Sequence, residues 1–285
     1  MSTLAPTSPS ARAGQAGPRS GARLAGLVFH SPWLSRGLYT AVGLAVLLAF
    51  WWLGGYLLAA DPATAPFAGF APGPTFAALW DLVWSASLYE AIWASFYRLG
   101  LGLLWAAAIG VPLGVAVGYF RTLREITHVP FQFLRMISPL SWMPIAVLVF
   151  ATWNQAIVFL IAVAAVWPIT FSTAHGVQRI DPLWLKVARN MGAEHLQMLR
   201  RIILPAIAQD IFSGIRMAVG VAWIVLVPAE FLGVTSGLGY AINDARDTLS
   251  YATLSAIVVV IGTMGFLLDG LCLLLIRRFS WRHEA

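Results

Sequence analysis

Apolar residues run in long uninterrupted blocks along most of this chain, and the polar residues gather in the gaps between them. Six blocks stand out, at 37–60, 99–120, 131–152, 156–175, 211–233 and 252–276. At a rise of about 1.5 Å per residue, each is long enough to cross a hydrocarbon layer of about 30 Å as a helix. A helix is the expected form because it satisfies every backbone N–H and C=O within one segment. The pattern predicts an all-α membrane protein with six transmembrane helices. Residues 1–35, rich in Ala, Pro, Gly, Ser and Arg and without helical period, are expected to form a disordered tail. The first block is too long for the apolar region of a signal peptide and reads as a span.

The placement of basic residues orients these spans. Arg12, Arg19, Arg23 and Arg36 precede the first, and Arg121 and Arg124 follow the second. Arg179, Lys186, Arg189, Arg200 and Arg201 lie between the fourth and fifth, and Arg277, Arg278 and Arg282 follow the sixth. The other side carries Asp61, Asp81, Glu90, Asp244 and Asp247, with Arg246 as its clear basic residue. Both termini are therefore expected in the cytoplasm. Segment 61–90, with Pro62, Pro66, Pro72 and Pro74 among aromatic residues such as Trp80, Trp84 and Tyr89, and with Trp93 just beyond it, suits an interfacial anchor better than an aromatic ligand cage.

Composition strengthens this picture. Apolar residues make up 59% of the chain and charged residues 11%, against about a quarter charged in soluble domains, and mean hydropathy is +0.78. The net charge of +6 does not point to nucleic acid, because the arginines sit at helix ends. The single Cys272 excludes a disulfide framework.

The loop between the fourth and fifth blocks has structure of its own. Asp181-Pro182 is an N-cap followed by proline at the first helical position. Trp184, Val187, Ala188 and Met191 then fall on one helical face, and Gly192 ends the helix. A second short helix is expected from about Glu194, with Leu196, Leu199 and Ile203 on one side and Gln197, Arg200 and Arg201 on the other, broken by Pro205. On pattern alone, two amphipathic helices at the membrane surface fit lipid headgroups or a protein partner equally well.

This stretch resembles the EAA loop of bacterial binding-protein-dependent ABC importers. Val187 and Ala188 occupy the alanine positions, with Gly192, Ile202, Leu204 and Pro205 at the matching spacings, whereas Lys186 reverses the charge of the usual glutamate. The strings Pro139-Leu-Ser-Trp-Met-Pro144-Ile, Gly176-Val-Gln-Arg, Gly214-Ile-Arg216, Ala222-Trp223, Ala229-Glu230 and Gly237-Leu-Gly239 are similar, in order and spacing, to landmarks of the nitrate, sulfonate and taurine permease family. Val-Ala in place of Ala-Ala in the loop, together with Ser138-Pro139-Leu140-Ser141-Trp142, leans toward the nitrate- or bicarbonate-type members.

The resemblance implies a type I (MetI-like) importer permease in the bacterial inner membrane. Residues 36–98 would hold the first span and an external segment, and 99–281 the core with its coupling loop at about 176–206. Lys186, Val187, Ala188, Gly192, Ala193, Glu194, Ile202, Leu204 and Pro205 would dock against an ATP-binding subunit, which would itself bind ATP and Mg. The remaining implied partners are a second copy of the permease and an external solute-binding protein. The implied cargo is nitrate, a sulfonate, taurine or a bicarbonate-like solute. A self-sufficient secondary transporter or channel is the rival reading.

Charges within spans are functional candidates. Arg216 and Asp269 are expected at similar depth on neighbouring spans and hence paired, while Arg216 and Glu230, 14 positions apart on one helix at about 1.5 Å per residue, cannot meet. Arg135 and Arg98 read as anchors near span ends. Pro139, Ser141, Trp142, Pro144, Arg216, Trp223 and Glu230 are the candidates for a translocation path, with a structural hydrogen-bonding role for Glu230 at least as strong. Pro139 and Pro144 are expected to break the third span. Gly110, Gly114 and Gly118 form a small-residue ridge for close helix contact. No phosphate-binding loop, metal-ligand spacing or catalytic grouping is evident, since the only lysine, Lys186, follows Leu185 and the histidines are scattered.

Overall fold

The computed structural model describes residues 32–279; the expectation of a disordered tail falls almost wholly outside them. Helix α1 (Pro32–Ala60) is apolar on every side and stands off the bundle, touching it at the end that leads into Asp61. There Trp51 Nε1 donates to the Phe70 carbonyl at 2.8 Å. Gly55 admits Ala71 so closely that a Cβ would sit 2.6 Å from the Ala71 Cβ. A 3₁₀ turn (Ala65–Phe70) and α2 (Pro72–Val83) follow. Phe67 and Phe70 each pack 5.1 Å from the Tyr251 ring, while Trp80, Trp84, Tyr89 and Trp93 splay outward and enclose nothing.

Helix α3 (Ala86–Tyr119) starts 13 residues before the predicted span, and at 34 residues it is about 51 Å long. Its polar first turns hid it in the sequence, yet two of those polar residues, Ser95 and Arg98, are buried. Helix α6 (Trp153–Gln178) lies along it. Gly102 faces Ile161, Gly110 faces Ile169, Gly114 faces Thr173 and Gly118 faces Val177. Residue numbers rise together on the two helices, so α3 and α6 are parallel. The expected glycine ridge is their seam, where absent side chains let the backbones approach and dispersion contacts accumulate.

Parallel packing requires the intervening chain to return the full length of the pair. It does so bent by 88°, as α4 (Arg121–Met136), a 3₁₀ turn (Pro139–Trp142) and α5 (Met143–Val149). The third span is thus broken, as its prolines predict, with the break falling just before Pro139. The chain leaves α4 at Ile137 and Ser138 in extended conformation, as a residue before proline prefers. Pro139 and Pro144 then open new turns, where a missing N–H costs nothing.

The chain next forms α7 (Pro182–Asn190) and, after several short turns, α8 (Ala208–Gly233). Helix α8 runs antiparallel to α6, with Asp210 beside Gly176, Ser172 beside Gly214 and Trp153 beside Gly233. Gly237, at φ +106°, turns the chain into α9 (Leu238–Asp247), which the sequence reading had not resolved. Helix α10 (Tyr251–Phe279) closes the bundle against α8, with Trp223 beside Gly265. Counting the bent pair once gives six crossings among the described residues. One end of the bundle carries Arg121, Arg124, Arg179, Arg189, Arg200 and Arg201; the other carries Asp61, Asp81, Glu90, Asp244 and Asp247. These are called the basic and the acidic end.

Candidate functional site

At the basic end the loop after α6 is clamped from below and open above. The Asp181 carboxylate accepts from the Leu183 N–H at 2.8 Å, capping α7 as expected. Gly192 adopts φ +82°, the left-handed conformation that ends a helix without a Cβ penalty. Ala188 joins Val177, Met198, Ile203 and Ile207 in a small buried core, with Val115 and Tyr119 of α3 packed against it. Arg189 donates to the Tyr119 hydroxyl at 2.9 Å, and Arg179 pairs with Asp210 at 3.6 Å. Ser172 of α6 donates to the Asp210 carbonyl at 2.6 Å. The loop is therefore tied to α3, α6 and the start of α8 together.

Its outward surface is apolar. Trp184 is 64% and Met191 82% exposed, and Leu183, Val187 and Leu196 are exposed around them. Lys186, Gly192, Glu194 and Pro205 are also exposed, whereas Ala193, Ile202 and Leu204 are half-buried. One detail departs from expectation: Leu196 points out and Met198 in. Residues Leu199–Ile203 form a π turn, whose i→i+5 spacing puts Met198 and Ile203 on the same buried side.

The intramembrane charges sort into three situations. Arg216 and Asp269 join α8 to α10 through two parallel bonds, Nε to Oδ1 at 2.8 Å and a terminal guanidinium nitrogen to Oδ2 at 2.9 Å, as the sequence predicts. This fork geometry is the strong form of an arginine–carboxylate contact.

Arg98 and Glu230 form a second pair at the acidic end, which the sequence reading missed. Glu230 is fully buried and Arg98 is 3% exposed, so Arg98 is not a surface anchor and Glu230 holds the structural hydrogen-bonding role. Ser95 donates to both Glu230 oxygens, at 2.9 and 2.8 Å, and the Gly239 N–H donates at 3.0 Å. Arg98 also donates to Asn154 Oδ1 at 2.8 Å, the Ser236 carbonyl at 2.9 Å and Ser236 Oγ at 2.6 Å. The Leu238 N–H donates to Ser95 Oγ at 2.9 Å. Gly237 is required here, because a Cβ would meet the Glu230 carboxylate at 2.5 Å. Helices α3, α6, α8 and α9 thus meet in one satisfied polar cluster, the arrangement that makes a buried charge tolerable. A comparison of depths along the sequence finds it, since Arg98 just precedes the 99–120 block and Glu230 lies near the end of the 211–233 block.

Arg135 is the third situation. Its guanidinium lies over the Phe171 ring at 5.2 Å and forms no ion pair among the described residues. The other path candidates scatter. Pro139 is half-buried at the bend, Ser141 and Pro144 are exposed, Trp142 is half-buried with its Nε1 finding no acceptor among the described residues, and Trp223 packs on Phe96 at 5.9 Å. Among the described residues no cluster of His, Cys, Asp and Glu could hold a metal.

Residues 110–281 match the sequence profile of the binding-protein-dependent transport system inner membrane component family. The chain belongs to that family. It is 39% identical over 178 residues to the bicarbonate transport system permease protein CmpB of Synechococcus elongatus, covering 62% of this chain and 64% of that one. It is 32% identical to the nitrate import permease protein NrtB of Leptolyngbya laminosa, over 84% of this chain and 86% of the relative. It is 31% identical to the taurine transport system permease protein TauC of Escherichia coli, over 88% and 93%. A chain of the inward-facing MetNI methionine ABC transporter superposes with a TM-score of 0.59 at 16% identity, covering 68% of this chain and 96% of that one. The fold is therefore that of the MetI-type permeases, and this family member is a multi-pass inner-membrane component.

Proposed function

We infer that this chain is the permease subunit of an ATP-driven importer for a small oxyanion or sulfonate, acting with a second permease copy. The observation that carries the reading is the apolar surface of Trp184, Val187 and Met191, presented on a helix whose other side is clamped to the bundle. Such a surface fits a protein groove. Its fixed base lets a push on it reach α3, α6 and α8 instead of dissipating in a loose loop. The partner that pushes is an ATP-binding subunit, which holds ATP and Mg and performs the hydrolysis. An external binding protein delivers the solute to the acidic end. The excess of arginine at the basic end supports its placement in the cytoplasm. The names of the relatives support a small anion or zwitterion as cargo.

The test is a disulfide scan in a Cys272→Ser background. Met191→Cys should crosslink to the co-expressed ATP-binding subunit, and uptake into vesicles should require ATP and the binding protein. Crosslinks to lipid probes alone, or uptake by this chain without ATP, would favour a self-sufficient transporter instead.

A further inference from the structure

A cavity of about 690 Å³ lies beside the loop at the basic end; a smaller one, of about 430 Å³, lies deeper and has a different character. Its walls are Arg135 and Pro139 at the bend, Trp167 and Phe171 of α6, and Met217 and Val221 of α8. Phe171 is seven residues before the end of α6, about 10 Å inside it at 1.5 Å per residue. A snorkelling arginine would reach past that end, but this guanidinium folds back onto the Phe171 face. Phe131 and Trp167 stack edge to face at 5.5 Å and fix the last turns of α4 against α6.

The three arginines inside the spans differ in one respect. Arg98 is neutralised by Glu230 and Arg216 by Asp269, whereas among the described residues Arg135 has no carboxylate partner. Arg135 is exposed at the cavity mouth, where its charge is accessible and its planar fork matches an oxyanion with two coplanar oxygens. The cavity also opens onto the exposed stripe of α8, formed by Ser213, Met217, Gly220, Val221, Ile224 and Pro228, which no other described element covers.

We propose that Arg135 is an oxyanion-contact site on the translocation path, holding a nitrate-, bicarbonate- or sulfonate-type group within the cavity at the α4–α5 bend. This rests on the reading of the chain as an anion-importing permease. The bend supplies the site by presenting the end of α4 sideways to α6 and α8. The aromatic faces position the guanidinium without neutralising it, so the charge remains available to a passing anion. A carboxylate there would cancel the attraction.

The experiment has two arms, both on the complete complex in lipid vesicles. In the first, nitrate and taurine uptake is measured for wild type, Arg135→Lys and Arg135→Gln, with ATPase activity as the control for assembly. Arg135→Gln should lower maximal uptake at least about tenfold while Arg135→Lys retains an intermediate rate, because one charge-assisted contact is lost or weakened. Wild-type uptake by Arg135→Gln would overturn the proposal and leave the permease reading intact. Absence of anion uptake by wild type would overturn the permease reading instead.

The second arm leaves Arg135 in place. In a Cys272→Ser background, Met217→Cys (in the cavity) and Ile224→Cys (outside it) are labelled with negatively and positively charged thiosulfonates. The anionic reagent should be favoured at position 217 relative to 224, and excess nitrate should abolish that preference. Equal preference at the two positions would refute an anion site whatever the transport result.

Discussion

Cutting the Arg98–Glu230 pair provides a quantitative test of the structure. Glu230→Gln preserves shape but leaves the Arg98 charge buried without a counter-charge, at a position only 3% exposed. It also turns a group that accepts from Ser95, Arg98 and the Gly239 N–H into one whose amide half can only donate. Removing one partner of a buried pair costs about 3–5 kcal/mol, or a factor of about 100 or more in the folding equilibrium. Arg98→Met should lose a similar amount, because Glu230 keeps its charge and only the neutral Ser95 and Gly239 donors. The double variant Arg98→Met/Glu230→Gln removes both charges and should lose much less than the sum of the singles. The cycle would therefore report a coupling of about 1–3 kcal/mol. Reversible unfolding of the purified protein in mixed detergent micelles, followed by tryptophan fluorescence, supplies the four free energies. Strict additivity would mean that the two groups do not share a buried environment, and the described packing of α8 against α3 would then be wrong.

Two further outcomes follow from the helix seams. Gly114→Leu should reduce the yield of folded protein sharply, since even a Cβ there would lie 2.6 Å from the Thr170 carbonyl and Thr173 Cβ. Gly100→Ala, one face away with nothing within 4 Å, should be silent in the same gel-filtration assay. At the middle of α8, Arg216→Asp and Asp269→Arg should each impair assembly. The double swap should recover part of it when membranes are probed for intact complex; failure to recover would show that the bidentate contact is incidental.

Much of this fold is legible because membrane burial imposes crude rules. Length and polarity locate the crossings, and arginine placement supplies an orientation that the family relationship does not itself demonstrate. Capping chemistry at Asp181 and Gly192 is local, and the structure has it as read. What escaped the sequence is what depends on two elements at once. Ser95 and Arg98 look like loop polarity until Glu230 and the α9 backbone are placed against them. The α9 helix, with Leu238 and Ala245 buried, is too short and polar to register as a membrane element. The bend at Ser138 is a geometric event: one apolar block holds two helices 88° apart, with extended backbone at Ser138 where the following proline disfavours the helical conformation. The Leu196–Met198 exchange has the same origin, since a π turn shifts the buried face away from the one an α-helical period indicates.

These pieces converge on α8. Its start is held by the loop core through Ile207 and by the Ser172–Asp210 contact, its middle by Arg216–Asp269, and its far end by Glu230 in the cluster with Arg98. A displacement of the loop at the basic end therefore enters α8 first. Helices α3 and α6 are locked face to face by glycines, and a packed seam of that kind moves as a unit or not at all. The Arg98 cluster fastens the far end of α8 to that unit, whereas Arg216–Asp269 fastens its middle to α10 through a pair that is partly exposed. The buried attachment joins α8 through more partners than the exposed one. Motion imposed at the loop should then pivot α8 about its Glu230 end, with an excursion that grows toward Ala208 and is larger at Met217 than at Val221 beside the cavity. The proposed path changes shape there while the acidic-end architecture stays intact.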